Sequence, residues 1–307
     1  MRTCVIDNPV AGRGRCRKRL EAAKPRLPCG YLYRSTTAPG HATQLAHEAI
    51  AEGCERIIAA GGDGTAHEVA QGILESGQRD VVFSCWPIGS SNDYARCLGM
   101  GGWWRNPERE TLDTRTVDVG LLTCNGKSRW FINGSGIGFN GMVTVEAHKI
   151  GFLSGAPLYV AAFLQAFRKH YRTPTIKFFF DDEAVAEHPS LSLTVNLGQR
   201  EGGFPVTWNA KLDDGRFNLF HPRKLRRWEL LRYLPALMSG NLPEDHPQLV
   251  NRQAHKIRME SGTPLCIHTD GELATIPADG IKTATVELVP QRLRVQVCPK
   301  FLYEGRA

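Results

Sequence analysis

The sequence predicts two domains of different texture: an N-terminal α/β domain on a parallel sheet and a C-terminal domain rich in antiparallel strands. Three observations carry this. Residues 1 to about 100 alternate strand and helix three times, the pattern of a parallel sheet with helices on both faces. After about residue 116 short strands follow one another with turns such as Asp181-Asp182-Glu183 and Asp213-Asp214-Gly215 between them, the spacing of an antiparallel sheet or sandwich. A length of 307 residues is enough for a core in each.

The elements follow in order. Thr3 to Asp7 reads as the first strand and runs into Asn8-Pro9-Val10-Ala11-Gly12-Arg13-Gly14, a glycine-bearing strand-to-helix turn. That turn lacks the Gly-Lys-Ser/Thr ending of a Walker A loop. Gly30 to Ser35 is the second strand, and Gly40-His41 opens a helix with the face Ala42, Leu45, Ala46, Ala49 and Ile50. Arg56 to Ala60 is a buried strand, and Ala66, Val69, Ala70, Ile73 and Leu74 mark one face of the helix after it. Val81 to Trp86 is the fourth strand, ending in Pro87-Ile88-Gly89-Ser90-Ser91-Asn92-Asp93-Tyr94-Ala95-Arg96. Gly99 to Arg115, with Trp103-Trp104, reads as a loop.

Beyond it, strands are expected at 116–122, 129–133, 176–181, 191–197, 216–220, 256–260, 265–268 and 284–289. Helices are expected near 140–149 and 156–170, and Leu293, Val295 and Val297 alternate with polar neighbours as a last strand. Gly136-Ile137-Gly138-Phe139-Asn140-Gly141 matches G-x-G-x-x-G formally. A dinucleotide site also needs an acidic strand end about 20 residues on, and a helix occupies that region.

Composition excludes several classes. No run of about 18 apolar residues exists, so no membrane-spanning helix is expected. The opening residues read directly as a strand, without the apolar core of a signal peptide. Nine cysteines, an odd number without a Cys-x-x-Cys pair, fit neither a disulfide framework nor a zinc site and point to a reducing cytosol. The net charge of +7 permits an acidic partner without choosing one.

The chemistry centres on Gly61-Gly62-Asp63-Gly64-Thr65. A strand, a tight glycine turn and a helix N-terminus together make an anion site, because the first N–H groups of a helix lack intrahelical acceptors. Those features suit a phosphate, whereas Asp63 would repel it unless a cation lies between them. The turn is therefore expected to take a nucleotide phosphate with Mg²⁺. Asn8–Gly12, Gly61–Thr65 and Gly89–Asp93 all fall at strand C-terminal ends, where open α/β sheets bind ligands.

Four blocks in this order resemble the diacylglycerol kinase-like lipid kinases: Asn8-Pro9-x-Ala11-Gly12, Gly61-Gly62-Asp63-Gly64-Thr65, Pro87 to Arg96, and Thr269-Asp270-Gly271-Glu272. Gly134-x-Gly136-x-Gly138-Phe139 and Lys211-Leu212-Asp213-Asp214-Gly215 extend the likeness over nearly the whole chain. Gly-Gly-Asp-Gly alone is shared with NAD kinases and phosphofructokinases. The resemblance implies a nucleotide domain of residues 1–118 plus 290–307, a β-rich lipid-substrate domain of 119–289, a last strand returning to the first domain, and an active site in the cleft between.

It further implies ATP against Asn8, Pro9, Ala11, Gly12, Thr36, Gly61, Gly62, Asp63, Gly64, Thr65, Glu68, Ser90 and Asn92. Two positions depart from the family pattern: His67 stands where Asn is common, and Ser90-Ser91 replace a Thr with a small neighbour. Asp63 and Asp93 are expected to hold Mg²⁺ or its waters, with Asp93 also placed as a helix N-cap. Glu272, with Asp270 beside it, is the expected general base for a lipid hydroxyl. Asp214 resembles a structural Mg²⁺ position, aided by carbonyls near Lys211 and Arg216; an Asp-Asp-Gly turn is its plainer reading.

The expected function is ATP-dependent phosphorylation of a lipid hydroxyl, on diacylglycerol or a related lipid. The alternatives are a kinase of a soluble substrate related to NAD kinases and a catalytically inactive nucleotide-binding regulator. The expected partner is a lipid at the membrane surface, with peripheral contact at the inner face from a cytoplasmic protein; a homodimer is allowed and nucleic acid is not expected. Residues 222–234 are the densest basic-aromatic stretch. Leu230, Tyr233, Leu234 and Leu237 share one helical face, which rests either on anionic headgroups beside Arg223, Lys224, Arg226 and Arg227 or on the β-rich domain itself.

Overall fold

A parallel sheet ordered β4-β3-β1-β2 forms the base of the N-terminal unit, built from β1 (Thr3–Asp7), β2 (Leu32–Ser35), β3 (Arg56–Gly61) and β4 (Val82–Pro87). The computed structural model describes residues 1–14, 20–21, 29–101, 112–184, 187–207, 209–243 and 246–302. The chain divides into two compact units, Met1–Asp118 with Pro290–Ala307, and Val119–Val289.

Parallel strands covered on both faces need apolar residues at every position, and β1 and β4 are buried throughout. Val5, Ile58, Ala60, Trp86 and Ile88 form one core with Leu20. Tyr94 approaches Phe83, which points the other way, at 6.2 Å between ring centroids. The helices are α1 (His41–Ala51), α2 (Asp63–Glu75) and the short α3 (Asp93–Cys97). The expected α1 face is buried except for Ile50, which is half-exposed, and the α2 face is buried throughout.

The second unit holds antiparallel sheets. One is ordered β13-β12-β11-β7-β15-β16, from β7 (Gly134–Gly138), β11 (Ser192–Asn196), β12 (Phe217–Pro222), β13 (Leu249–Ala254), β15 (Ile267–Thr269) and β16 (Glu272–Thr275). The other carries β8 (Thr175–Phe180), with β9 (Glu183–Ala184) and β10 (His188–Pro189) on it, and β14 (Lys256–Ser261). A hairpin of β5 (Asp113–Cys124) and β6 (Lys127–Phe131) adds to it. Helices α4 (Phe139–His148), α5 (Ala156–His170) and α6 (Arg227–Ser239) share an apolar cluster with Leu191, Phe220 and Leu249.

The expectations for five strands are corrected. Asp113–Arg115 belong to β5 rather than to a loop, residues 99–101 and 112 are irregular as expected, and residues 102–111, with Trp103-Trp104, lie outside the described residues. Gly134–Gly138 is itself a strand: three glycines leave no side chains to alternate, so periodicity cannot reveal it. β13 and β16 sit at sheet edges with largely exposed or half-exposed residues, which blurs their pattern. The two terminal strands are one, β17 (Thr283–Val297). Pro290 is exposed and Gln291 takes a left-handed φ of 47°, a kink within the strand instead of an end. The first part of β17 pairs antiparallel with β14, and Arg294 and Val295 pair parallel with β4.

All eight cysteines among the described residues are free. Among those residues no helix is long and apolar enough to cross a membrane.

Candidate active site

The three glycine-bearing turns of the first unit meet at the C-terminal ends of β1, β3 and β4. A Cβ on Gly89 would lie 2.3 Å from Gly62 Cα, and one on Gly12 would lie 3.2 Å from the Ile88 carbonyl oxygen. A side chain at Gly89 would force the turns apart, so this packing selects glycine there. The Gly61 carbonyl accepts the N–H groups of Ile88 and Gly89 at 3.1 and 2.9 Å, tying the turns together. Gly62 is the N-cap of α2 and supplies no side-chain cap, so the first-turn N–H groups face outward for an anion.

Asp63 and Asp93 converge here. Asp63 accepts backbone N–H bonds from Asn92, Asp93 and Tyr94, the last at 3.2 Å, so it caps the start of α3. Burial and then the neighbouring Asp93 charge push its carboxyl upward, to about 7. Two carboxylates in one buried corner repel unless a cation neutralises them, so the donor set fits Mg²⁺. Asp93 is the first residue of α3 and Asn92 is its N-cap, which corrects the capping expectation for Asp93.

The other expected nucleotide residues divide by how far their groups are engaged. Asn8 Oδ1 takes the Val10 N–H at 3.1 Å and its carbonyl takes the Ala11 N–H, which shapes the Asn8-Pro9-Val10-Ala11 turn. Asn92 exchanges two hydrogen bonds with Gly89, Gly89 N–H to Oδ1 at 3.0 Å and Nδ2 to the Gly89 carbonyl at 3.1 Å. Its amide thus builds the turn. Thr36 is buried at the end of β2, its N–H on the Asp7 carbonyl. Thr65 is buried against Gly61, and Ser90 is exposed.

Glu68 is reassigned by its contacts. Its carboxylate accepts the Gly40 and Ala42 N–H groups at 2.8 and 3.1 Å, so it caps α1 from a distance of 28 and 26 residues.

In the second unit the Thr269–Glu272 turn is held on every side. Asp270 has a φ of 51° and its carboxylate accepts the N–H groups of Ile132, Asn133 and Gly134, each at 2.9 Å. Its own N–H donates to the Gly134 carbonyl at 2.7 Å. Asp270 therefore anchors the turn, and the expectation that it shares the base chemistry is corrected to a positioning role. Glu272 begins β16 half-buried, and its carboxylate makes no hydrogen bond or ion pair among the described residues.

Two residues missed from the sequence fix this turn. The Gly271 N–H donates to His268 Nδ1 at 3.3 Å, which leaves the ring proton on Nε2, and that atom lies 3.0 Å from Glu201 Oε1. Asn140 Nδ2 also reaches Glu201, at 3.0 Å. Gly136 makes room for both, since a Cβ there would sit 2.2 Å from His268 Nε2 and 2.3 Å from Asn140 Nδ2. From the exposed side His148 Nε2 meets the Gly271 carbonyl at 3.2 Å. His268 and Glu201 stand 67 residues apart, so no sequence spacing signals the pair. Gly136 was the available clue.

Asp214 is exposed and accepts the Arg216 N–H at 3.1 Å, an Asx turn, while Lys211 and Arg216 are exposed on either side. Among the described residues no group of three His, Cys, Asp or Glu side chains comes together to hold a metal ion. An Asx turn and a cation shared with backbone carbonyls are both compatible with this exposed carboxylate.

Comparisons with known proteins cover both units. Residues 2–122 match the family described as the diacylglycerol kinase catalytic domain, and residues 135–297 match the YegS C-terminal NAD kinase beta sandwich-like domain. A diacylglycerol kinase of Staphylococcus haemolyticus is 28% identical over 313 residues, covering 99% of this chain and 90% of that protein. The crystal structure of a diacylglycerol kinase from Bacillus anthracis covers 98% of both chains with a TM-score of 0.71 at 21% identity, a likeness of fold. An Archaeoglobus fulgidus NAD kinase solved in complex with ATP is more distant in fold, with a TM-score of 0.50 at 11% identity over 96% of this chain and 93% of its own.

Proposed function

Because the chain belongs to the diacylglycerol kinase-like lipid kinases, we propose that it transfers the γ-phosphoryl group of ATP to the hydroxyl of diacylglycerol or a related lipid. The observation that carries this reading is the Asp63–Asp93 pair set beside the uncapped first turn of α2, where three glycine-bearing turns adjoin. Uncapped N–H groups bind phosphate oxygens, and Ser90 adds an exposed hydroxyl beside them. Asp63 and Asp93 would hold Mg²⁺, which supplies neutralisation of the charge that gathers on the phosphates.

The lipid hydroxyl oxygen forms the new bond to phosphorus as the bond to the ADP oxygen breaks, and its proton passes to the Glu272 carboxylate. Phosphoryl transfer has a loose transition state, so that proton leaves late and positioning contributes most. Asp270, His268 and Glu201 supply the positioning on the Glu272 side.

The test is radiolabelled ATP and Mg²⁺ with a mixed lipid extract. Labelled lipid is expected, and label appearing only on added NAD would reject the lipid reading in favour of a soluble substrate. Glu272→Gln keeps size and removes the base, so turnover should fall about 10²-fold or more with ATP binding nearly intact. Asp63→Asn should instead impair use of Mg·ATP. A Glu272→Gln protein that retains most of its activity would show that the base lies elsewhere.

A further inference from the structure

The apolar face of α6 read from the sequence points inward. Leu230 is buried, and Tyr233, Leu234 and Leu237 pack on the cluster shared with α4 and α5. The docking of that face on its own domain is therefore correct, and it is not free to meet a membrane. The helix carries a second apolar row on its outer side. Trp228, Leu231 and Met238 are 54%, 42% and 38% exposed, and Pro235 between them is exposed as well. The intervals of three, four and three residues place them in one stripe.

Cations flank the stripe. Lys224, Arg226, Arg227 and Arg232 are all exposed, and the one acid of α6, Glu229, is turned back to accept the Arg226 N–H at 2.5 Å. The Arg227 guanidinium lies over the Tyr171 and Phe167 rings at 5.2 and 5.8 Å, a structural contact. Lys224, Arg226 and Arg232 make no ion pair among the described residues. An exposed apolar row headed by a tryptophan and bordered by exposed cations matches the anionic surface of a phospholipid bilayer.

Pro235 decides between that surface and a dry protein contact. It has no N–H, so the Leu231 carbonyl loses its helical donor on the exposed side. A second copy of the chain packed dry on this stripe would bury that carbonyl without a partner, a cost of about 1–3 kcal/mol. The headgroup layer of a bilayer supplies water to it.

We infer that the outer stripe of α6, Trp228-Leu231-Pro235-Met238 with Lys224 and Arg232, is a docking surface for an anionic phospholipid bilayer. The inference rests on the lipid kinase reading for its purpose, but its test requires no turnover. The probe is cosedimentation with vesicles of phosphatidylglycerol and phosphatidylcholine, against vesicles of phosphatidylcholine alone. Binding is expected to the anionic vesicles, and to weaken about tenfold as salt rises from about 0.05 to about 0.5 M.

Trp228→Ser with Leu231→Ser should weaken it about tenfold, as should Lys224→Glu with Arg232→Glu. The second pair alters only exposed charges and guards against misfolding of the first. Both pairs should phosphorylate detergent-dispersed lipid at the unaltered rate. Wild-type protein that ignores anionic vesicles, or variants that bind as well as it does, would overturn the inference. So would a wild-type dimer that both apolar substitutions convert to a monomer while vesicle binding stays unchanged, since the stripe would then belong to a second copy. If vesicles bind as expected and no lipid is ever labelled, the docking surface stands and the kinase reading falls.

Discussion

Asp63 concentrates the tension of the nucleotide side in one carboxyl group. Its pKa is raised to about 7 by burial and then by Asp93, whereas a carboxylate in the unfolded chain titrates near about 3.9. The sign follows: the native state binds the proton more tightly, so without Mg²⁺ this pair removes stability as pH rises from about 4 to about 7. Asp63→Asn should therefore flatten the pH dependence of Tm over that range. Protons and Mg²⁺ compete for the same oxygens, so Mg²⁺ should raise Tm more at about pH 8 than at about pH 6 in the wild-type protein. Thermal melts at the two values check both effects. An equal Mg²⁺ increment at both, or one that survives in the Asn variant, would remove the cation from Asp63.

At the scale of elements, Glu146 joins two helices. It is fully buried on α4 and meets Lys149 Nζ at 2.7 Å, with Lys169 Nζ and His170 Nε2 of α5 both at 2.9 Å. Burial alone would raise its pKa, but hydrogen bonds from Lys149, His170 and Lys169 outweigh that and bring it down to about 2. A depressed carboxylate contributes stability above its unfolded value near about 4.3 and loses it as pH falls toward 2. Glu146→Gln should lower stability by about 1–3 kcal/mol at neutral pH and leave little difference from wild type near pH 2. Urea titrations at the two pH values measure it.

The elements also show which signals a sequence carries. The glycine turns were legible because their chemistry is local: strand, glycine and helix start lie within a few residues. The capping role of Glu68 is hidden because its partners, Gly40 and Ala42, lie far upstream, and nothing near Glu68 marks a cap for another helix. The Glu201–His268 pair is invisible for the same reason. β7 escaped because its glycines carry no pattern, and β17 was divided at a proline that only bends it. The inward face of α6 was legible by period, but its outer stripe was not, since exposure depends on what the opposite face docks against.

For the whole molecule, the division at Asp118 and Pro290 makes the first unit discontinuous in sequence. Arg294 and Val295 pair with Val82 and Phe83 of β4, and Leu293, Val295 and Val297 are buried there. Ser84 Oγ also bonds Gln296 at 2.8 Å. Ending the chain after Val289 would strip β4 of this neighbour and leave a fully buried strand as an open edge. The truncated protein should aggregate or melt at a lower temperature, and a synthetic peptide of residues 290–300 should restore part of the loss. A truncated chain with unchanged Tm would make the pairing dispensable.

That same strand imposes an order on synthesis. A ribosome finishes residues 1–118 and then the entire second unit before it delivers the segment that pairs with β4. At roughly 5–20 residues per second, the nascent first unit waits about ten seconds or more with that edge unpaired. During this interval an open edge of parallel sheet can recruit another nascent chain. Slow codons between 119 and 289 would prolong the exposure.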